Sequence, residues 1–312
     1  KIWNAGRFAL MSLGDGPVHS LEDVADDLAL EDRWILSRFR YASEAATDDL
    51  ERFRLHEVAE DLYHFFWGEV CDWYLELVKA RLAEGADPRS REAARTTLVT
   101  VLDGAFRLLH PIMPFVTSEL WSRIPWPKGV AKPEDLIVAP WPEPRAEWAD
   151  GEAEAMMGSL QELIVEVRRL RKEYGVGEGQ RVSLHLITDD EAFAATVAQQ
   201  GSALERLARV DEVSTSGDGR GAGAHAVLDG GAELFMPLEG VIDVEREAKR
   251  LRAEIEGIAG RLADTEKKLA NENFVSRAPA EVVDRERQKA DGLREQASKL
   301  EEKLRSLEGA GS

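Results

Sequence analysis

The 312 residues predict a mainly α-helical chain made of a helix bundle, a small α+β unit and an antiparallel coiled-coil hairpin, and three observations carry that prediction. Up to about residue 124, apolar side chains recur every three or four positions between short breaker clusters, the period of helices packed on one another. From Arg181 the period shortens towards two, as strands require. From Val244 the apolar positions step alternately by four and three, the seam of a coiled coil.

A first helix over about residues 1–13 stops at Gly14-Asp15-Gly16-Pro17, where two glycines and a proline make continuation costly. A second covers about 31–50. The third, about 55–83, is expected to bury Val58, Leu62, Phe65, Phe66, Val70, Trp73, Leu77 and Val78 before Gly85-Ala86-Asp87-Pro88 ends it. The fourth starts after Pro88, carries Leu98, Val101, Leu102, Phe106 and Leu109, and breaks at His110-Pro111; a fifth covers about 114–123. Trp3, Phe8, Trp34, Phe115 and Trp121 also fall at helical spacings and are assigned to the core. Pro125, Pro127, Pro133, Pro140, Pro142 and Pro144 alternate with Trp126, Trp141 and Trp148, so residues 125–149 are expected as an extended strap across the bundle.

An amphipathic helix over about 152–174 follows, apolar along Leu160, Leu163, Ile164, Val167 and Leu170. It ends in the run Arg168-Arg169-Leu170-Arg171-Lys172, where cations suit the negative pole of the helix. Strand-like stretches at 182–188, 212–216, 224–228 and 233–238, with a helical stretch between the first two, make the α+β unit. The glycine-rich run 217–223 lacks the GxxxxGK[ST] pattern and is expected as a flexible hairpin loop, not a phosphate cradle.

The heptad seam runs through Val244, Ala248, Leu251, Ile255, Ile258, Leu262, Thr265 and Leu269, and again through Val283, Glu286, Ala290, Leu293, Ala297, Leu300, Leu304 and Leu307. Only Thr265 and Glu286 depart from apolar. The link at 271–279 holds Asn271 and Asn273, which end helices, and Pro279, which starts one, so the two helices should fold back on each other. The first of them would be about 39 Å long, an arm rather than part of a compact core. The resulting division is 1–150 for the bundle with its strap, 151–240 for the connecting helix and α+β unit, 241–308 for the arm, and 309–312 for a disordered tail.

Forty Lys and Arg against 59 Asp and Glu give a net charge of −19, which excludes a general nucleic-acid binder because the average surface repels phosphate. The excess is uneven: residues 241–312 carry 15 basic against 16 acidic side chains, and residues 1–240 carry 25 against 43. The single cysteine, Cys71, excludes an internal disulfide and a Cys-rich zinc site, fits a reducing compartment, and is assigned to the core. His56, Glu60 and His64 share a helical face without forming HExxH, so no metal site is assigned, and no spacing specifies a nucleophilic triad. With no apolar run near the roughly 18 residues of a membrane span and no signal pattern, the chain is expected to be a soluble, cytoplasmic piece of something longer.

Four stretches resemble the anticodon-binding helical domain of the valyl-tRNA synthetases: Lys1-Ile2-Trp3-Asn4-Ala5 with Arg7-Phe8; Asp32-Arg33-Trp34-Ile35-Leu36; Glu69-Val70-Cys71-Asp72-Trp73-Tyr74-Leu75-Glu76; and Leu109-His110-Pro111-Ile112-Met113-Pro114-Phe115 with Glu119-Leu120-Trp121. Lys267-Lys268-Leu269-Ala270-Asn271, Asn273-Phe274 and Ala278-Pro279 resemble that family's C-terminal coiled-coil arm. The resemblance covers nearly the whole chain in order and is weakest between about 180 and 232. The bundle alone is also similar to isoleucyl- and leucyl-tRNA synthetases; the heptad hairpin points to the valyl family, and one cysteine cannot build the Cys-rich module of an isoleucyl-type end.

The resemblance implies a class I synthetase bundle from a bacterial-type parent ligase that joins valine to its tRNA with ATP and Mg and removes mischarged threonine. No HIGH-like or KMSKS-like segment occurs here, so catalysis, ATP and Mg are expected in the parent's other domains, and this piece is expected to be non-catalytic and to hold no cofactor. Its expected partners are valine tRNA and the catalytic and editing domains of the same parent chain, in a monomer with no membrane contact. Asn4, Arg7, Arg33, Arg38, Arg168, Arg169, Arg171 and Lys172 are the candidates for the anticodon side, and Lys267, Lys268, Arg285, Arg287 and Lys289 for the outer corner of the tRNA. The competing reading is a protein adaptor whose coiled coil pairs with another protein.

Overall fold

A computed structural model of the chain describes residues 2–14, 16, 18–127, 129–143, 145–215, 223–277 and 279–308, without the side chains of Glu272, Asn273 and Arg277. The expected tail at 309–312, the glycine-rich loop apart from Gly223, and Lys1 and Ala278 of the resemblance motifs lie outside these residues. The chain divides into two compact units, Lys1–Leu160 and Gln161–Ser312. The division falls inside helix α7 (Gly151–Glu173), so the α+β unit and the arm, expected as separate pieces at 151–240 and 241–308, share one unit.

The first unit holds α1 (Ile2–Leu13), a 3-10 turn at Glu22–Asp27, α2 (Leu30–Glu51), α3 (Leu55–Tyr63), a π-helical stretch His64–Tyr74, α4 (Leu75–Leu82), α5 (Pro88–Leu109) and α6 (Pro114–Ser122). Helix α5 starts as its sequence dictates, with Pro88 at the first helical position and the Asp87 carboxylate accepting from Ser90 N at 2.9 Å. Its centre is stripped of bulk at Gly104, where a Cβ would lie 2.0 Å from Phe39 Cζ; the ring of α2 therefore packs on the backbone of α5.

Val58, Leu62, Phe66, Val70, Tyr74 and Val78 recur at every fourth residue and are all buried. In an ordinary helix each four-residue step turns the side chain about 40° further round, so such a row would leave the core face. The wider turns between His64 and Tyr74, with Leu75 N donating to Val70 O, keep the row in line. This corrects the expected core: Trp73 is only half-buried and Tyr74 is fully buried in its place.

Tyr74 meets a buried ion-pair cluster. Its hydroxyl donates to Asp32 Oδ1 at 2.7 Å, while Arg81 lies 2.6 Å from Asp32 Oδ2 and 2.9 Å from Glu31. Arg81 also donates to the Ser90 hydroxyl and carbonyl at 2.7 and 2.9 Å, and Asp32 accepts from Ala29 N at 3.0 Å, closing the start of α2. Burial pushes the Asp32 carboxyl up against the pull of Arg81, and pushes the Tyr74 phenol up as well.

Among its described residues the strap has no α-helix or strand; it carries a turn in which Val130 N donates to Pro127 O at 3.3 Å and two 3-10 turns at Leu136–Val138 and Ala146–Trp148. Trp141 Nε1 donates to Thr47 Oγ1 at 2.9 Å on α2, Arg107 of α5 donates to Pro140 O at 3.1 Å, and Leu136 is buried. Lys132 Nζ caps α6, donating to the carbonyls of Trp121, Ser122 and Ile124 at 3.1, 3.1 and 3.2 Å. Trp34, Phe65, Phe66 and Trp121 are core residues, but Trp3 and Phe8 (each 41% exposed) and Phe115 (91%) are not. The reason for the first two is that α1 buries a single stripe, Ile2, Gly6, Ala9 and Leu13, and both rings fall outside it.

In the second unit, Leu163, Ile164, Val167 and Leu170 of α7 are buried. The sheet has the order β2-β1-β4-β3. β1 (Val182–Ile187) runs parallel to β2 (Val210–Ser214), the crossover being α8 (Glu191–Gln199) and α9 (Gly201–Ala208), and antiparallel to β4 (Glu233–Pro237), which pairs with β3 (Gly223–Val227). The arm is α10 (Val244–Leu269) and α12 (Ala280–Leu307), and the link between them forms a short helix, α11 (Glu272–Arg277). Arg252 pairs with Glu308, Glu266 with Arg294 at 2.6 Å and Lys268 with Glu286 at 3.8 Å, so residue numbers rise on one helix as they fall on the other, the antiparallel register. The seam is buried or half-buried throughout, including Thr265, whose hydroxyl is satisfied by Arg261 O at 2.9 Å, and Glu286.

Two outcomes follow for the bundle. Asp32→Ala or Arg81→Met, each stranding one side of a buried pair, should lower unfolding free energy in urea by about 3–5 kcal/mol, whereas Arg33→Ala, breaking the exposed 2.8 Å pair with Asp150, should cost no more than about 1 kcal/mol; equal losses would place the weight of the fold elsewhere. Burial pushes the half-buried Cys71 thiol up to about 12. Its alkylation rate in the folded chain should therefore be slow at pH 8 and climb about tenfold per pH unit with no plateau near the ordinary thiol value of about 8.5, and a plateau there would refute this burial.

Candidate nucleic-acid interface

On the arm, Arg261, Asp264, Thr265, Lys267, Lys268, Asn271 and Lys289 line a cleft of about 500 Å³. Lys267 and Lys268 stand in the last turn of α10, where the helix dipole favours cations, and Lys289 comes to them from α12 because the hairpin is antiparallel. Lys268 and Lys289 share the Glu286 carboxylate at 3.8 and 4.0 Å, with both lysines more than half exposed. Ion pairs that exposed hold their cations weakly. Three of the five arm candidates are thus gathered on one cleft; Arg285 and Arg287 are exposed outside its lining, Arg287 pairing with Asp284 at 3.2 Å. Sequence reasoning passed over Arg261, yet it lies seven residues before Lys268, two helical turns and so the same face.

On the bundle, Trp3, Asn4, Arg7, Phe8 and Met11 are exposed together along one side of α1. Asn4 and Arg7 stand between two exposed rings, and Lys79 Nζ sits 4.7 Å from the Phe8 ring centroid. The aromatic residues of this face were missed because helical spacing alone does not say which stripe of a peripheral helix is covered. Arg33 is exposed and held by Asp150. Arg38 is a clamp within the unit: its guanidinium makes two 2.9 Å bonds to Glu69 and one of 3.2 Å to Glu154, and the Glu69 hydrogen bonds raise its pKa further.

The basic end of α7 splits. Arg171 is buried and donates to Gly177 O and Gln180 O at 3.0 and 2.8 Å, closing the turn that leads to β1, with burial lowering its pKa. Arg169 pairs with Glu166 at 2.8 Å and Glu173 at 2.5 Å. Arg168 donates to Leu207 O at 2.6 Å from an exposed position, and Lys172 is exposed. Among the described residues no group of three His, Cys, Asp or Glu side chains is placed to hold a metal; His56 turns to Glu57 at 2.7 Å and His64 to Glu60 at 3.8 Å.

Chemically, exposed aromatic rings interleaved with Asn and Arg stack and hydrogen-bond unpaired bases, and a cleft of clustered ammonium and guanidinium groups holds phosphates. A family model described as the anticodon-binding domain of tRNA ligase matches residues 32–186, and one described as the valyl tRNA synthetase tRNA binding arm matches 243–308. The chain is 38% identical over 309 residues to the valine–tRNA ligase of Geobacillus kaustophilus, covering 98% of this chain and 34% of that protein. It is 37% identical over 330 residues to that of Symbiobacterium thermophilum (99% and 36%) and 35% identical over 311 residues to that of Bacillus subtilis (99% and 34%). The chain thus spans about a third of the length of the curated relatives it matches. Matched by both family models and aligned with valine–tRNA ligases along 98% of its length, the chain belongs to the valyl-tRNA synthetase family, as its anticodon-binding and arm portion.

Proposed function

We propose that this chain is the tRNA-holding, non-catalytic portion of an enzyme that attaches valine to its tRNA with ATP. The observation that carries the reading is the convergence of Arg261, Lys267, Lys268 and Lys289 on one cleft of the arm in a chain whose net charge is −19. Local clustering of cations answers the repulsion that the acidic surface exerts on average. The cleft takes the phosphates of the folded outer corner, where RNA is recognised by shape and backbone. The α1 face, with Trp3, Asn4, Arg7 and Phe8, takes the splayed anticodon bases, and Arg33, Arg168 and Lys172 lie exposed for further phosphates. Arg38, Arg169 and Arg171 serve their own units through the bonds described above. ATP, Mg and the editing reaction belong to the parent's other domains, which are this portion's intramolecular partners. No described helix is long and apolar enough to cross a membrane; we place the protein in the cytoplasm, as a monomer.

Fluorescence anisotropy at two salt concentrations, with valine tRNA, isoleucine tRNA and a valine tRNA of altered anticodon, tests the reading. Lys267→Ala, Lys268→Ala and Lys289→Ala should each reduce the slope of log Kd against log salt by roughly 0.7–1, equally for all three RNAs. Trp3→Ala or Phe8→Ala should weaken binding by about 1–3 kcal/mol per lost stack, by similar amounts for all three RNAs because any base can stack. No binding at low salt, or binding indifferent to salt, would sink the proposal in favour of a protein adaptor.

A further inference from the structure

Lys303 stands apart from the other lysines of the arm. Lys249, Lys267, Lys268, Lys289 and Lys299 are exposed, whereas Lys303 is 9% exposed and lies off the heptad seam, between Leu300 and Leu304. Its ammonium group donates to Glu173 O, at the last residue of α7, at 2.5 Å. It lies 3.5 Å from the Glu247 carboxylate on α10 and 4.7 Å from the centroid of the Tyr174 ring. Glu247 is itself oriented by Arg250 at 2.7 Å, and one turn further along α12 the Ser306 hydroxyl donates to Gly223 O on β3 at 2.6 Å. One buried charge therefore meets both arm helices and the helix that leads into the sheet, at the base of the arm.

A buried ammonium tolerates few arrangements. Withdrawn from water, it is stable only where carbonyl, carboxylate and ring all face it, and losing any of them leaves a charge or a carbonyl unpartnered. Such a requirement, together with the Ser306 bond to β3, restricts the angles at which the arm can leave the α+β unit. The cleft lies near Lys267, 20 residues along α10 from Glu247. That is a lever of about 30 Å, so a tilt of about 15° at the base would move the cleft by about 8 Å, far beyond the roughly 3 Å reach of a hydrogen bond.

We propose that Lys303 is a positioning residue that locks the base of the arm, so that RNA affinity depends on a side chain that touches no RNA. The affinity part rests on the tRNA reading above; the lock itself does not. The test uses the whole chain in a Cys71→Ala background with nitroxides at Ala198→Cys on α8 and Ala270→Cys at the far end of α10, both exposed positions. Lys303→Met should broaden the nitroxide distance distribution with helicity by circular dichroism unchanged, Glu247→Gln should broaden it less, and Lys303→Arg should restore it. If the freed arm points correctly about a tenth of the time, valine tRNA binding falls about tenfold, with the salt slope unchanged because no phosphate contact is lost. An unaltered distance distribution in Lys303→Met overturns the lock. A salt slope that falls together with affinity overturns the positioning role by making Lys303 a phosphate ligand. Failure of the unsubstituted chain to bind tRNA overturns the tRNA reading and the affinity claim together, and leaves the distances to judge the lock.

Discussion

The bundle is organised around one buried carboxylate. Asp32 closes the first turn of α2, neutralises Arg81 of α4 and accepts from Tyr74, while Arg81 reaches Ser90 of α5. A charge removed from water this completely is tolerable only if every partner stays in place, so the cluster fixes how α2, the π-helical stretch, α4 and α5 meet. It also accounts for the widened turns. Tyr74 must face the same interior as Val58, Leu62, Phe66 and Val70, and only a helix with more than the usual number of residues per turn brings a strict four-residue row to one side.

Cations are used differently in the two units. In the bundle, Arg38 and Arg81 meet carboxylates, Arg107 and Lys132 also meet carbonyls, and their charges are consumed in holding helices and strap together. In the arm the apolar seam already holds the two helices, and the ion pairs along the charged flanks stay exposed to water. A slender hairpin has little interior in which to bury a side chain, so Lys267, Lys268 and Lys289 stay more than half exposed or only weakly paired. Lys303 is the exception, and it occurs where the hairpin meets other structure and can be covered.

Much of this architecture was legible in the residues themselves. Helix ends at Gly14, Pro88 and Pro279, the Pro/Trp strap, the four strands and both heptad seams depend on local chemistry: fixed φ at proline, the alternation of a pleat, the three-and-four step of a coiled coil. The motifs that carried the family resemblance have a physical meaning in the fold, since Asp32 and Tyr74 lie at the centre of the buried cluster. Where the reading went astray, it did so on questions of partnership. Trp3, Phe8 and Phe115 have the spacing of core residues but stay partly or largely exposed, and Trp73 yielded its place to Tyr74 when the turn widened.

The candidate site shows the same limit more sharply. The basic types and their positions on the arm were visible as a row of letters, yet whether an arginine faces water or an acid from another helix depends on residues far away in sequence, such as Glu69 and Glu154 for Arg38. The helices, the seam and the family could be read from the residues alone, because periodicity and breaker residues act within a few positions of the chain. Which cations remain outside their own fold, which aromatic rings of α1 stay exposed, and the inward turn of Lys303 follow from packing, because desolvation and ion pairing depend on what meets a side chain from elsewhere in the chain.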